Sequence, residues 1–76
     1  MKEILESIMN TNKLWAMSRA GYMLGVMSQL EEGSITQSNA TDWMYDVIRH
    51  IDLESDDETI KNQIVTIAKQ IGQIVD

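Results

Sequence analysis

Five isoleucines near the C-terminus, Ile60, Ile64, Ile67, Ile71 and Ile74, recur at steps of 4, 3, 4 and 3. At 3.6 residues per turn this spacing holds all five within about 80° of arc, and Val65, Ala68 and Val75 widen the stripe toward the usual core-facing width. A β-strand would scatter the same residues over both of its faces. Only a helix packed along its whole length accommodates them. Proline is absent from the chain, and elsewhere too the apolar residues recur at helical rather than alternating spacing. The reading is all-α: a small antiparallel bundle of three to four helices at about 2–9, 12–32, 39–51 and 56–75, in a single domain spanning 1–76.

Local signals place the boundaries. Ser55-Asp56-Asp57-Glu58 has the spacing of a capping box and is expected to start the last helix. Trp43, Met44, Val47, Ile48 and Ile51 form one side of the third helix, and a connection of about four residues makes it an antiparallel neighbour of the fourth. Gly33 is placed to end the second helix in a left-handed conformation, with Ser34 to Ser38 as a polar loop pinned by Ile35. Asn10-Thr11-Asn12 offers a break after a short amphipathic first helix carrying Ile4, Leu5, Ile8 and Met9.

The second helix is unusual. Its apolar arc, through Tyr22, Trp15, Val26, Leu30, Met23, Ala16, Met27, Ala20, Leu24 and Met17, covers roughly 220°, about twice what one core contact needs. Either it is the central helix or it also meets a second copy of the chain, so a homo-oligomer is expected. Arg19 falls inside that arc and must reach a carboxylate or water, because an uncompensated buried guanidinium costs several kcal/mol, on the order of 3 to 5. The small residues Ser18, Gly21, Gly25 and Ser28 line the remaining strip, either solvated or closely approached.

Charge is concentrated in one segment. Asp42 to Glu58 holds seven carboxylates against Arg49 alone, whereas the remaining residues balance five acids with five bases, for a formal net charge of −6 over the 76 residues. Asp42, Asp56, Asp57 and Glu58 are expected near helix starts, where the dipole favours anions. Asp46, Asp52 and Glu54 have no such reason. With Asp42 they form the candidate partner-binding set, directed at a protein with a basic surface.

Several function classes are excluded on chemical grounds. Six scattered cations in an acidic chain give no patch to displace counterions from phosphates, which argues against direct nucleic-acid binding. The spacing of Asp52, Glu54 and Asp56 suggests calcium, but an EF-hand needs glycine at its sixth position and an acid at its twelfth, where this chain has Asp57 and Gln63. No metal or cofactor is therefore expected. His50 is the lone histidine, and no serine or threonine has the context of an activated nucleophile, so the protein is read as a non-enzyme. There is no cysteine, and the N-terminus lacks the basic start and apolar run of a secretory signal. The charge-poor stretch from Leu14 to Leu30 is too short and polar to span a membrane. A cytoplasmic location follows as the default. In size, acidity and helix count the chain resembles acyl carrier proteins, but none of its serines stands in the Asp-Ser-Leu context those proteins require, and no family is assigned.

The functional expectation is an acidic inhibitor or adaptor, a nucleic-acid mimic among the possibilities, that docks its 42–58 segment on a basic partner. Two alternatives remain. One is a self-assembling helical subunit. The other is a binder of small anionic ligands between helices, with Arg19, Trp15, Tyr22, Met23 and Met27 at the interface or ligand.

Overall fold

The computed structural model describes residues 1–75. Four helices follow one another: α1 (Lys2–Met9), α2 (Leu14–Glu32), α3 (Gln37–Glu54) and α4 (Glu58–Gly72). The protein is an all-α helical bundle. α2 and α4 each pack against all three other helices, whereas α1 and α3 do not meet. The pair α2 and α4 therefore forms the middle, with α1 and α3 on its flanks. This position accounts for part of the wide apolar arc of α2: Ala16, Ala20, Met23 and Val26 are buried, whereas Tyr22 keeps 43 % of its surface open.

The core joins Leu5 and Ile8 of α1, Ala16, Ala20, Met23 and Val26 of α2, Ala40, Met44, Val47 and Ile51 of α3, and Ile64, Ile67, Ala68 and Ile71 of α4. No polar or charged residue among those described is buried. Three rungs of the isoleucine ladder, Ile64, Ile67 and Ile71, are buried, while Ile60 and Ile74 pack partly buried at its ends. Ile67→Ala would remove three buried carbon atoms and cost about 2 to 5 kcal/mol.

Several helix ends differ from the expected ones, each for a local reason. α3 begins at Gln37 instead of Asn39 or Ala40, because Thr36 and Asn39 form a capping box: the Asn39 N–H donates to Thr36 Oγ1 at 3.1 Å and the Thr36 N–H to Asn39 Oδ1 at 3.4 Å. It runs on to Glu54, past the expected end at Ile51, and the Ser55 N–H still donates to the Ile51 carbonyl at 3.0 Å. Ser55 thus closes α3 and does not open α4. The cap of α4 is Asp57, whose carboxylate accepts from the Ile60 N–H at 3.1 Å.

The other two ends follow the same logic. Asn10 and Thr11 serve the end of α1, donating from their side chains to the carbonyls of Glu6 and Ile8, so α2 starts at Leu14 and not at Asn12. α4 stops at Gly72, short of the expected residue 75, because Gln73 turns left-handed at φ 52°. Gly33 adopts φ 76° at the end of α2, as its position in the sequence implies.

The α3–α4 hairpin is tied at its open end. Gln37 Nε2 donates to the Ile71 carbonyl at 3.0 Å and Thr41 Oγ1 to the Gly72 carbonyl at 2.7 Å. These carbonyls belong to the last turn of α4 and have no partner within their own helix. At this crossing the backbones come close: a Cβ on Gly72 would lie 3.0 Å from Met44 Cβ.

Candidate functional site

The acidic segment occupies the second half of α3, the Ser55–Asp57 connection and the first residue of α4. Because α2 runs antiparallel to α3, the start of α2 lies beside the end of α3, and α2 delivers cations to the acids. Arg19 Nη2 meets Glu54 Oε1 at 2.5 Å, and Lys13 Nζ meets Asp56 Oδ1 at 3.1 Å. Trp15 Nε1–H also donates to Asp56, at 2.9 Å. From the other side, Lys61 of α4 meets Asp52 at 3.0 Å. Within α3 itself, Arg49 pairs with Asp46 three residues before it.

The fold thus redraws the charge map. Along the sequence the segment has one base, but in space Lys13, Arg19, Arg49 and Lys61 accompany its seven carboxylates, leaving a local net of −3. Asp52 and Glu54 sit in the last turn of α3, where the helix dipole opposes a carboxylate; each is offset by a cation from a neighbouring helix. These contacts tie α2 and α4 to the end of α3, although solvent screening leaves exposed pairs of this kind only a small share of the stability. The hydrogen bonds from Lys13, and after them from Trp15, hold the Asp56 carboxyl below the ordinary aspartate range. The bond and charge of Asp52 push the Lys61 ammonium above its usual value.

Asp42 lies beyond the first turn of α3, since the helix starts five residues earlier, and the expected dipole explanation for it does not hold. Asp56 is in the connection, outside α4, and its place is explained by Lys13 and Trp15. Asp57 is the cap, and Glu58 is the first-turn acid of α4.

The outward face of α3 collects what remains. At 3.6 residues per turn, Asp42, Tyr45, Asp46, Arg49 and Leu53 share this face, and all five are exposed. Leu53 has 82 % and Tyr45 54 % of its surface open to solvent. His50 borders the face, its Nδ1 lying 2.8 Å from the Asp46 carbonyl. A carbonyl only accepts, so Nδ1 carries the proton and donates. Tyr22 of α2 adjoins from the side: burial first, and then the Asp46 charge, raises its phenol above the ordinary tyrosine range. Sequence patterning overlooked Tyr45 and Leu53, although their register alone, opposite Met44, Val47 and Ile51, carries the signal.

Of the residues expected at an interface or anionic ligand, Tyr22 keeps 43 % of its surface open, and the other four have partners or packing within the bundle. Arg19 is bound to Glu54 and Trp15 to Asp56, Met23 is fully buried and Met27 packs partly buried against the core. The guanidinium Nε of Arg19 is buried without a hydrogen-bond partner. A groove of about 420 Å³ lies elsewhere, between α1 and α4, lined by Met1, Ile4, Asn62, Gln63, Thr66, Ile67 and Gln70. No charged side chain faces it, and the nearby N-terminal ammonium is paired with Glu3 at 3.4 Å. Among the described residues no helix is long and apolar enough to cross a membrane. Comparison with protein-family models, curated proteins and solved structures finds no match for this chain.

Proposed function

We propose that the protein is a non-enzymatic interaction module that docks the acidic 42–58 segment, chiefly the outward face of α3, on a basic surface of a partner protein, as an inhibitor or adaptor does. The observation that supports this most is the charge remaining after folding: a net of −3 persists around the segment when the ion pairs to Lys13, Arg19, Arg49 and Lys61 are counted. α3 lies on the flank of the bundle with Tyr45 and Leu53 uncovered, so this acidic face also offers apolar surface. Within the candidate set the roles divide. Asp52 and Glu54 hold the neighbouring helices, and Asp42 and Asp46 face a partner.

The test is affinity capture on the intact protein at low salt, repeated with Asp42→Asn/Asp46→Asn. Both positions are exposed, and substitutions of this kind change stability by no more than about 0.5 kcal/mol. A basic protein retained by the wild type, released by moderate salt and lost from the double variant supports the reading, since exposed charges act through screened attraction. Retention unchanged by the double variant and by salt overturns it.

A further inference from the structure

We infer that the outward face of α3 takes a basic amphipathic helix, docked through Tyr45 and Leu53, instead of a flat, purely charged surface. This rests on the proposed function and specifies the partner's contact element. Two observations independent of the charge count carry it. First, Leu53 and Tyr45 expose large apolar side chains at 82 % and 54 % on a helix whose buried side already has Met44, Val47 and Ile51 in the core. Leu53 is almost wholly outside the fold, and more than half of Tyr45 is left uncovered by it. Second, they stand eight residues apart on one helix face, a separation of about 12 Å. Apolar residues on a partner helix repeat at 3.6-residue spacing and reach two knobs two turns apart together.

The sign of the partner's charge follows from the surroundings. The whole chain carries −6, Asp52 and Glu54 are held by Lys61 and Arg19, and the carboxylates that share the face of the apolar knobs are those of Asp42 and Asp46. Lysines or arginines beside the partner's apolar stripe would meet these carboxylates, and an acidic helix would be repelled. Arg49, held by Asp46, interrupts the acidic surface between Tyr45 and Leu53. Its position favours a partner with apolar residues at the centre and cations at the margins.

The test uses the intact protein and two synthetic peptides of equal leucine and lysine content, about 18 residues or five turns long. One places the leucines on a single helical face, and the other has them scrambled. Binding is followed by titration and by the amide shifts of the labelled protein. The expected result is at least tenfold tighter binding of the amphipathic peptide, with shifts confined to α3 and the adjoining Tyr22 region. Leu53→Ser should weaken that peptide about tenfold, the equivalent of burying one leucine side chain, and leave the scrambled peptide unaffected. An unchanged melting temperature for Leu53→Ser excludes misfolding as the cause.

Equal binding of both peptides, indifferent to Leu53→Ser but lost with Asp42→Asn/Asp46→Asn, overturns the helix-docking inference and keeps the acidic module. Binding indifferent to the two aspartates, or shifts that fall on the α1–α4 groove, overturns both.

Discussion

Two glycine substitutions of the same chemistry should act with opposite sign. Gly25 lies in the interior of α2, is exposed, and has nothing within 4 Å of where a Cβ would stand. Alanine there gains the full helix-propensity difference, about 0.8 to 1 kcal/mol. For a domain of this size that raises the melting temperature by about 4 to 8 °C. Gly72 closes α4 against α3, and its added Cβ would meet Met44 Cβ at 3.0 Å and Ile74 Cδ1 at 3.1 Å. The isoleucine tip can rotate, but Met44 Cβ is fixed to the α3 backbone and Met44 is fully buried. Relieving the contact requires the helices to separate, at a cost of about 1 to 3 kcal/mol, against a propensity gain that is reduced at a terminal helical residue. Gly72→Ala should therefore destabilise by about 1 kcal/mol. Urea unfolding of each variant gives both values, and the double variant should show their sum because the two sites share no partner. Stabilisation by Gly72→Ala would refute the close α3–α4 crossing. Destabilisation by Gly25→Ala that deepens with protein concentration would mean a second copy lies against the small-residue strip.

The caps and the acidic pairs give two further tests. Asp57→Ala should cost about 1 kcal/mol and Ser55→Ala much less, since only the Asp57 carboxylate reaches a first-turn amide of α4; equal losses in thermal unfolding would restore Ser55 as the cap. The depressed carboxyl of Asp56 stabilises the fold above the unfolded aspartate value of about 3.9 and ceases to do so as pH falls through its lower folded value. In a Trp43→Phe background the Trp15 fluorescence should respond over that acidic range, and Asp56→Asn should abolish the response; a Trp15 signal that ignores Asp56→Asn would contradict the indole hydrogen bond.

The isoleucine ladder and Gly33 were legible because each signal has one physical meaning: a stripe must be buried, and a helix end needs a residue that tolerates positive φ. The α3–α4 junction was less so. Ser55-Asp56-Asp57-Glu58 contains two overlapping caps, and the choice between them depends on α3 continuing through Asp52, Leu53 and Glu54, an extension stabilised by Lys61 and Arg19 from other helices. Thr36 and Asn39 form a capping box in which asparagine replaces the usual glutamate, so the start of α3 was overlooked. That Arg19 must reach a carboxylate or water was legible from its place in an apolar arc, whereas the partner it has, Glu54, lies 35 residues away, and spacing gives no guide to that. For the same reason the acidic segment appears more isolated along the chain than it is in space.

The central claim, that the face of α3 is the contact surface, is tested most directly by placing a photo-crosslinking phenylalanine at Tyr45 in one sample and at Gln29 of α2 in another, then irradiating cells that contain each. Both positions are exposed, so neither substitution disturbs the core. Adducts from position 45 to a lysine- or arginine-rich protein segment, with none from position 29, are the predicted result. Adducts that form from position 29, or equally from both, would contradict it and move the contact surface to α2.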